Sequence, residues 1–564
     1  MLRKRGVDMR KCFIMINIFC LVALFSCTGQ RTQDESNMPD RSGIDGESIF
    51  DDKPLKVLIN SQKNNYGLYL GLPVGSGFNN ILEEISKASE EKFGFPVEFI
   101  SFPEGDLKNE YMIITTAAGS DIDLIFPTKA CEFNATYKDF QSYFFWNEDF
   151  IELYTDLSPY LTYCPDVYDN MQQYDYVMDM VTRKDRIFAL YAGVPEVSRL
   201  SLLIKNEILQ EYNVRSVTSF TDLYNLMEMM AEQDEMNDRN KIVVNERMLL
   251  HYAIIKAGFY SGYDGNRNLS PYNMVCDLDD ENFKPLLIED TDIFDVLFRE
   301  FGSFLEQSYF RLFPYDKQSD VKSDEQFYRS LFSEEGGNIY LLDNAFYSIY
   351  RLFSYDEYPT ENPWNTYSMF MFDDNTPIVN TIDSIQLILV PYTCTQPEKA
   401  VSFVNWLYTD EKVADLLTFG SDQGKYPNYV FTREGNIFYG GRSTVYHFYN
   451  LFANFSDRLF PFNNKTMDVS KVYVDLAYKA IYPPLYRHLE SIHNERYDAY
   501  QNMSMAFTQN INMQKRTEYI LSAVSDLIKD PMSTTADAMK KYLDQMTDRN
   551  ELQRFINECI RGIY

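Results

Sequence analysis

The chain has 564 residues, of which 83 are acidic and 52 are basic, so its formal net charge is −31. A chain of this length exceeds one small hydrophobic core, and we expect two lobes or domains. Strong negative charge disfavours nucleic acid and anionic lipid headgroups as binding partners. We therefore predict no nucleic-acid partner and no electrostatic attachment to a membrane surface.

The N-terminus has the pattern of a secretory signal. Basic residues at positions 3–5 precede an apolar run over 12–25, which is shorter than the about 20 residues that span a bilayer. The four residues Leu-Phe-Ser-Cys that end at Cys27 resemble a bacterial lipobox, in which this cysteine is acylated and becomes the mature N-terminus. The alternative is an uncleaved signal anchor, because Phe25 lies where lipoboxes usually have Ala or Ser. We predict a lipoprotein signal peptide over 1–26.

A flexible tether is predicted over 27–53. From residue 28 the segment is polar, rich in Asp, Ser, Gly and Gln, and has no periodicity. A coil of this length spans roughly 25–30 Å on average. An acylated Cys27 would hold the protein at the extracellular face of the cytoplasmic membrane, attached to it through lipid only.

The remaining cysteines and the aromatic residues bear on stability. No CxxC occurs, which argues against zinc ribbons and thioredoxin-like redox sites. We expect stability from a large core, without a disulfide framework. The chain has 43 Tyr and 42 Phe but 3 Trp; most rings should be buried, and an excess of Tyr also suits a cleft that stacks on sugar rings. The widely spaced cysteines are Cys131, Cys164, Cys276, Cys394 and Cys559.

Strands and helices alternate at the start of the body, which favours a parallel or mixed α/β sheet. In such sheets ligands bind beyond the carboxyl ends of the strands. The loops after Ile59 and Phe126 are therefore candidate pocket walls. The predicted elements are strand 55–59, helix 81–88, strand 96–100, helix 111–118 and strand 122–126.

Later segments continue the alternation and then become mainly helical after Pro397. The predicted strands are 186–191, 200–204, 337–342 and 381–391. The predicted helices are 205–212, 221–232, 398–406, 518–528 and 536–546.

Catalytic and metal-binding motifs are absent from the sequence. It contains no HExxH, GxSxG or P-loop motif, and its four His are scattered. The acidic run 277–281 lacks the turn glycine of a calcium loop and is interpreted as a solvated turn. Among so many acids, no carboxylate pair stands out as a glycosidase pair. We predict no enzyme, no cofactor and no metal site.

Four stretches together resemble the family 1 extracellular solute-binding proteins of ABC importers, in particular the large lipoproteins for oligosaccharide uptake in Gram-positive bacteria. They are TTAAGSDIDLIF at 115–126, the hinge-like run over 186–223, QPEKAVSFVNWL at 396–407 and FGSDQGKY at 419–426. The chain departs from the family pattern at Asp185 and Arg186, which stand where Gly-Lys is common. The resemblance therefore does not define which residues near Tyr191 form the wall of the cleft.

The resemblance implies an α/β, two-lobe fold like that of periplasmic binding proteins, with hinge crossings and a mainly helical C-terminal part. The crossings are expected near 186–195, 336–344 and 381–391. Lobe 1 would comprise 54–189 with about 337–395, and lobe 2 would comprise 190–336 with about 396–564.

The implied function is a monomeric, non-enzymatic binding protein that captures a carbohydrate, an oligosaccharide, between its lobes and delivers it to ABC permease subunits. A surface lipoprotein glycosidase and a peptide-binding receptor are the alternatives.

Candidate ligand residues are aromatic or polar side chains near the expected strand ends and crossings. Aromatic rings stack on sugar faces, and carboxylates or amides accept sugar hydroxyls. Turn capping or loop packing is the alternative role for each. Trp406, in an apolar helix, is instead expected in the core. The candidates are Tyr66, Phe126, Tyr191, Asp343, Asn344, Trp364 and Asp383.

Overall fold

The computed structural model describes residues 50–60, 76–102, 121–129, 132–134, 139–141, 153–195, 197, 199–233, 236–261, 272–280, 286–313, 336–342, 366–372, 375–379, 386–413, 416, 430–431, 437–438, 469–481, 510–546 and 548–560.

The strands, numbered in chain order, are β1 Leu55–Asn60, β2 Val97–Phe102, β3 Leu124–Lys129, β4 Glu132–Asn134, β5 Asp139–Gln141, β6 Thr182–Arg183, β7 Arg186–Ile187, β8 Ser201–Lys205, β9 Ile242–Val244, β10 Phe259–Tyr260, β11 Met274–Asp277, β12 Leu286–Leu287, β13 Phe310–Leu312, β14 Ile339–Leu342, β15 Tyr367–Met371, β16 Gln386–Leu389, β17 Val430–Phe431 and β18 Ile437–Phe438.

The α-helices are α1 Ser76–Phe93, α2 Pro165–Met171, α3 Asp175–Val181, α4 Asn206–Glu211, α5 Phe220–Glu232, α6 Glu246–Lys256, α7 Ile293–Glu306, α8 Pro397–Thr409, α9 Val469–Tyr478, α10 Ile511–Lys529, α11 Ala536–Met546 and α12 Arg549–Ile560. Short 3-10 helices cover Ser158–Tyr163 and Ile288–Asp290.

The first sheet has the strand order β16-β3-β1-β2. β1 pairs in parallel with β2 and with β3, and β16 runs antiparallel to β3. Val57 and Leu124 are fully buried, as expected for a parallel sheet that is covered on both faces. Parallel neighbours cannot be joined by a tight turn and need a crossover connection, which here contains helix α1 between β1 and β2.

The second sheet has the order β13-β9-β14-β8-β15. β14 pairs in parallel with β9 and antiparallel with β8, and β15 is antiparallel to β8. Neighbouring side chains of β8 point to opposite faces. Leu202 lies in one buried cluster and Leu203 in another, so both faces of this sheet are covered.

Two hydrophobic clusters follow the two sheets. The first joins the covering elements of the first sheet to the inner face of the second, where Tyr340 and Met369 lie. The second cluster fills the outer face of the second sheet, where Leu226, Ile254 and Phe301 of three helices meet. The predicted fold class, two α/β lobes with connecting crossings, is confirmed, and the described residues after Pro397 are mainly helical.

The division of the chain between the lobes differs from the expectation for 337–395. β14 and β15 belong to the second sheet, and β16 belongs to the first. Ile339–Leu342 of the segment expected near 336–344 is therefore an interior strand of the second sheet, and Asp343 and Asn344 lie outside the described residues. The reason is that β14 is buried on both faces and pairs with β9 on one side and β8 on the other, whereas its apolar pattern specifies burial but not partners.

The C-terminal part is also shared between the lobes, unlike the predicted assignment of 396–564 to lobe 2. Trp406 of α8 is buried in the first cluster and contacts Phe93 edge-to-face at 5.6 Å, so its predicted core position is confirmed. Asn405 of the same helix caps α2, because its Oδ1 accepts from the backbone N–H of Asp166. By contrast, α10 and α11 pack on the second cluster.

A buried lysine fixes the point where the body begins. The Nζ of Lys399, a residue that is 3 % exposed, donates to Asp51 Oδ1 at 2.9 Å and to the carbonyl oxygen of Lys53 at 2.6 Å. It also lies 4.3 Å from the ring centre of Phe95. Phe50 contacts the same ring edge-to-face. These contacts hold the end of the predicted tether against the first lobe.

Two further findings concern the cysteine thiols and the search for membrane-spanning helices. Cys164, Cys276 and Cys394 are buried free thiols, and burial raises the pKa of Cys164 and of Cys394 to about 12, so both stay protonated at neutral pH. Within the described ranges, no helix is both long and apolar enough to cross a membrane.

Candidate functional site: the facing edges of two sheets

The first lobe presents the carboxyl ends of its three parallel strands at one edge. Gln386, the first residue of antiparallel β16, pairs with Lys129, the last residue of β3. The start of β16 therefore lies at this same edge. Leu190 pairs antiparallel with Ile388 through two backbone hydrogen bonds of 2.9 Å. The chain thus runs alongside the sheet towards the carboxyl edge and leaves the lobe there.

The chain enters the second lobe at the carboxyl edge of the second sheet. β9, β13, β14 and β15 all point the same way, and β8 points the opposite way. Ser201, at the start of β8, consequently lies beside the carboxyl ends of the other four strands. The first crossing, residues 191–200, joins the carboxyl edge of one sheet to that of the other.

The return crossing, residues 372–385, has the same geometry. It starts where β15 ends and finishes where β16 begins, again linking the two carboxyl edges. Two separate connections therefore hold these edges opposite one another. Strand ends and their loops are where α/β sheets bind ligands, so the facing edges form the candidate cleft.

Asn170 of α2 holds the start of the first crossing. Its Nδ2 donates to the carbonyl oxygens of Tyr191 at 3.2 Å and Gly193 at 3.1 Å. The side chain is buried, and one amide group thereby donates to two backbone acceptors of the first crossing.

Arg199 joins the two crossings. Its guanidinium donates from Nη1 to the carbonyl oxygen of Thr376 at 2.6 Å and from Nη2 to that of Phe372 at 2.9 Å. Arg199 is 8 % exposed. Hydrogen bonds from a charged donor are stronger than neutral ones, particularly in a buried setting. The two crossings are thus tied together at the edge of the second sheet.

A line of rings connects the first crossing with the surface. Tyr174 contacts Tyr191 edge-to-face at 6.2 Å and stacks on Tyr478 at 5.3 Å. Tyr478, at the end of α9, is 46 % exposed. Three residues after it, the backbone N–H of Ile481 donates to the carbonyl oxygen of Ile378 in the return crossing at 2.6 Å.

The structure places two of the seven candidate ligand residues in the interior. Tyr191 is fully buried beside Tyr174, and Phe126 is 4 % exposed in the first core. Neither ring offers a face to solvent in this conformation, so both act here in packing. The remaining candidates, which lie outside the described residues together with the lipidation candidate Cys27, are Tyr66, Asp343, Asn344, Trp364 and Asp383.

Sequence reasoning missed Asn170 and Arg199. Arg199 did offer a signal, because it is a single cation between the apolar residues Val197 and Leu200, shortly after a proline. Asn170 lies in an ordinary polar helical stretch and offered none. Among the described residues, no group of three or more His, Cys, Asp or Glu side chains is arranged to hold a metal ion.

Comparison with known proteins gives solved structures only. No family model matches the chain, and no curated protein matches it. Among the structures it resembles is the N-glycan transport solute-binding protein NgtS from Streptococcus pneumoniae in complex with Man1GlcNAc, with 15% identity over 90% of this chain and 100% of that chain, at a TM-score of 0.43.

Two others are also transport-related. An HMO-binding, ABC-transporter-associated solute-binding protein from Bifidobacterium longum infantis is 13% identical over 91% of this chain and 99% of that chain, with a TM-score of 0.42. The ABC substrate-binding protein Lmo0181 from Listeria monocytogenes, in complex with cycloalternan, is 12% identical over 90% and 100%, with a TM-score of 0.39. Similarities this low do not assign the chain to a family.

Proposed function

We propose that this protein is a lipid-anchored solute-binding protein that captures an oligosaccharide between its two lobes and delivers it to the permease of an ABC importer. One observation supports this most directly: both described connections between the sheets join carboxyl edge to carboxyl edge. Strand ends and their loops are where α/β sheets bind ligands, so this linkage supports a site between the two edges.

Binding in such a cleft proceeds by closure. A ligand that touches both edges stabilises the closed form, and the affinity reflects what the closed form gains over the open one. Direct hydrogen bonds to sugar hydroxyls replace bonds to water and add only ~0.5–1.5 kcal/mol each. Aromatic stacking is then expected to supply much of the remaining affinity.

The loops predicted to contact the ligand follow or precede described strand ends. Tyr66 comes after β1, Asp343 and Asn344 come directly after β14, and Asp383 precedes β16. Trp364 precedes β15. The first four of these positions adjoin strand ends at the two carboxyl edges, whereas Trp364 comes before the amino end of β15, where Tyr367 pairs with Lys205 away from that edge. The chain's Tyr-rich composition and the lipobox-like motif at Cys27 add to the proposal.

Ligand binding is expected to compact the protein. We would screen the purified protein on a glycan array, then titrate the strongest oligosaccharide by calorimetry and measure small-angle scattering with and without it. The radius of gyration should fall on binding, because closure brings the lobes together. Saturable binding without any change would argue for a rigid site, and binding of peptides alone would favour the peptide-receptor alternative.

A glycosidase is the second candidate function, and the same oligosaccharide distinguishes it. Prolonged incubation followed by a reducing-end assay should show no release above the level of buffer. Release that scales with protein concentration would contradict the proposal and support hydrolysis.

Cys27→Ser is expected to abolish membrane attachment. A diacylated cysteine supplies two chains, which is the minimum for stable anchoring. The variant should appear in the medium or accumulate as an unprocessed precursor, whereas Cys131→Ser, in the body, should stay in the membrane fraction like the wild type. Mass spectrometry of the wild type showing an intact Met1 and no lipid would contradict the anchor.

A further inference from the structure

On each crossing, one set of hydrogen bonds attaches the chain to the first lobe and another set attaches it to the second lobe. We call these attachments clamps. On the first crossing, Asn170 holds Tyr191 and Gly193 to helix α2 of the first lobe. Arg199, at the entry to the second sheet, ends the same crossing. Between the two clamps lies Pro195.

The return crossing is divided in the same way. Thr376 is held by Arg199 at the second lobe, and its Oγ1 lies 3.5 Å from the hydroxyl of Tyr252 on α6. Ile378 is held instead by the backbone of Ile481. That residue follows α9, which packs on the first lobe through the stacked pair Tyr478 and Tyr174.

The residue between these two attachments is also a proline, Pro377. Thus on both crossings a proline separates the chain attached to one lobe from the chain attached to the other. Proline has no backbone N–H, so no donor is lost when the backbone rotates at these positions. Domain closure usually occurs at a few residues in loops or at the ends of elements, which absorb the change in backbone angles. The proline ring fixes φ, so the rotation at these two positions is about ψ.

We propose that the two lobes rotate about a hinge at Pro195 and Pro377, and that Asn170 and Arg199 are positioning residues that confine the rotation to these points. Arg199 has the larger role, because its two hydrogen bonds keep the two crossings together as one hinge. This inference rests on the proposed closure mechanism but is tested without any ligand.

The experiment measures the distance between the lobes in the ligand-free protein. Spin labels are attached at Glu83→Cys on α1 and Glu228→Cys on α5, both exposed positions, and double electron–electron resonance gives the distance distribution. The chain without these two cysteines supplies the background from its own thiols.

Arg199→Met should broaden this distribution, because the two crossings are then no longer tied to each other. Arg199→Lys, which keeps the charge but not the two-pronged donor, should fall between methionine and the wild type. Arg183→Met is the matched control: Arg183 also donates to backbone carbonyl oxygens, those of Asp179, Met180 and Thr182, but within one lobe. It should leave the distribution unchanged.

The position of the hinge is tested by Pro195→Gly together with Pro377→Gly. Glycine frees the backbone at both points, so the distribution should broaden while the clamps stay intact. Pro391→Gly, at a proline inside the first lobe that pairs with Tyr154, is the control.

A distribution that is unchanged in Arg199→Met, even where its melting temperature falls, would show a purely structural role and overturn the proposal. An unchanged distribution in the double glycine variant would overturn the assigned position. If instead these variants behave as expected but no oligosaccharide closes the wild type, the proposed function fails and the hinge stands.

Discussion

Arg516→Met is expected to lower the free energy of unfolding of the second lobe by about 3–5 kcal/mol, because it leaves a buried carboxylate without its partner. The Nη2 of Arg516 donates to both carboxylate oxygens of Glu289 at 2.5 Å, and the two side chains are 1 % and 2 % exposed. Its Nη1 donates to the carbonyl oxygen of Leu543 at 2.9 Å. One side chain therefore joins α10, α11 and the 3-10 helix at Ile288–Asp290.

The control for this prediction is an exposed ion pair in the same lobe, between α11 and α7. Lys540 contacts Asp295 at 2.6 Å, with side-chain exposures of 24 % and 53 %, and Lys540→Met should cost at most about 1 kcal/mol. Arg516→Met combined with Glu289→Leu should be more stable than Arg516→Met alone, since no unpaired charge remains. Urea unfolding measures all three variants, and a loss below about 1 kcal/mol for Arg516→Met would contradict the argument.

Trp406→Ala and Trp364→Ala are expected to separate stability from binding. Trp406 is 4 % exposed, packs on Phe93 and donates from Nε1 to Asp410 Oδ2 at 2.9 Å. Removing a large buried ring costs about 3–5 kcal/mol. The melting temperature should fall strongly, while the protein that remains folded keeps its affinity for the oligosaccharide.

Trp364→Ala should show the opposite pattern. If its ring stacks on a sugar, its loss removes about 0.5–1.5 kcal/mol, equivalent to roughly 2- to 12-fold in affinity, with little change in melting temperature. Tyr66→Ala should behave in the same way. Calorimetry and thermal unfolding on all three variants provide the comparison; wild-type affinity in both Trp364→Ala and Tyr66→Ala would show that these rings do not bind the ligand.

Segments with strong local patterns were predicted close to their observed bounds. The apolar face of 221–232 predicts a helix that the structure shows over Phe220–Glu232, where Ser219 and Asp222 form a capping box. The helix predicted over 536–546 has those same bounds. Helical and strand periodicity arise from neighbours in the chain, so sequence contains most of what determines them.

The partners of the strands were harder to predict from the sequence than the strands themselves. Residues 337–342 were recognised as a strand, but their position between β9 and β8 was not. A strand that is buried on both faces has no alternation to orient it. Its partners are decided by which apolar surfaces remain to be covered after the rest of the lobe has folded, and that depends on the whole chain.

The interior position of the candidate Tyr191 also depends on the whole chain. Tyr191 was expected near the hinge and lies at the start of the first crossing, yet its ring is fully buried beside Tyr174. The direction of an aromatic side chain at a crossing depends on which other rings meet there, and Tyr478 is far away in sequence.

By itself the sequence determined the alternation of strands and helices, the helical C-terminal part, the core position of Trp406 and the lipobox-like motif at Cys27, because each is a local pattern. The tertiary structure alone decided which strands share a sheet and how the crossings are held. Asn170 and Arg199 act on backbone carbonyl oxygens, in the case of Arg199 and Thr376 at a separation of 177 residues. Every residue has such an acceptor, so no side-chain pattern marks the ones that a distant donor will reach.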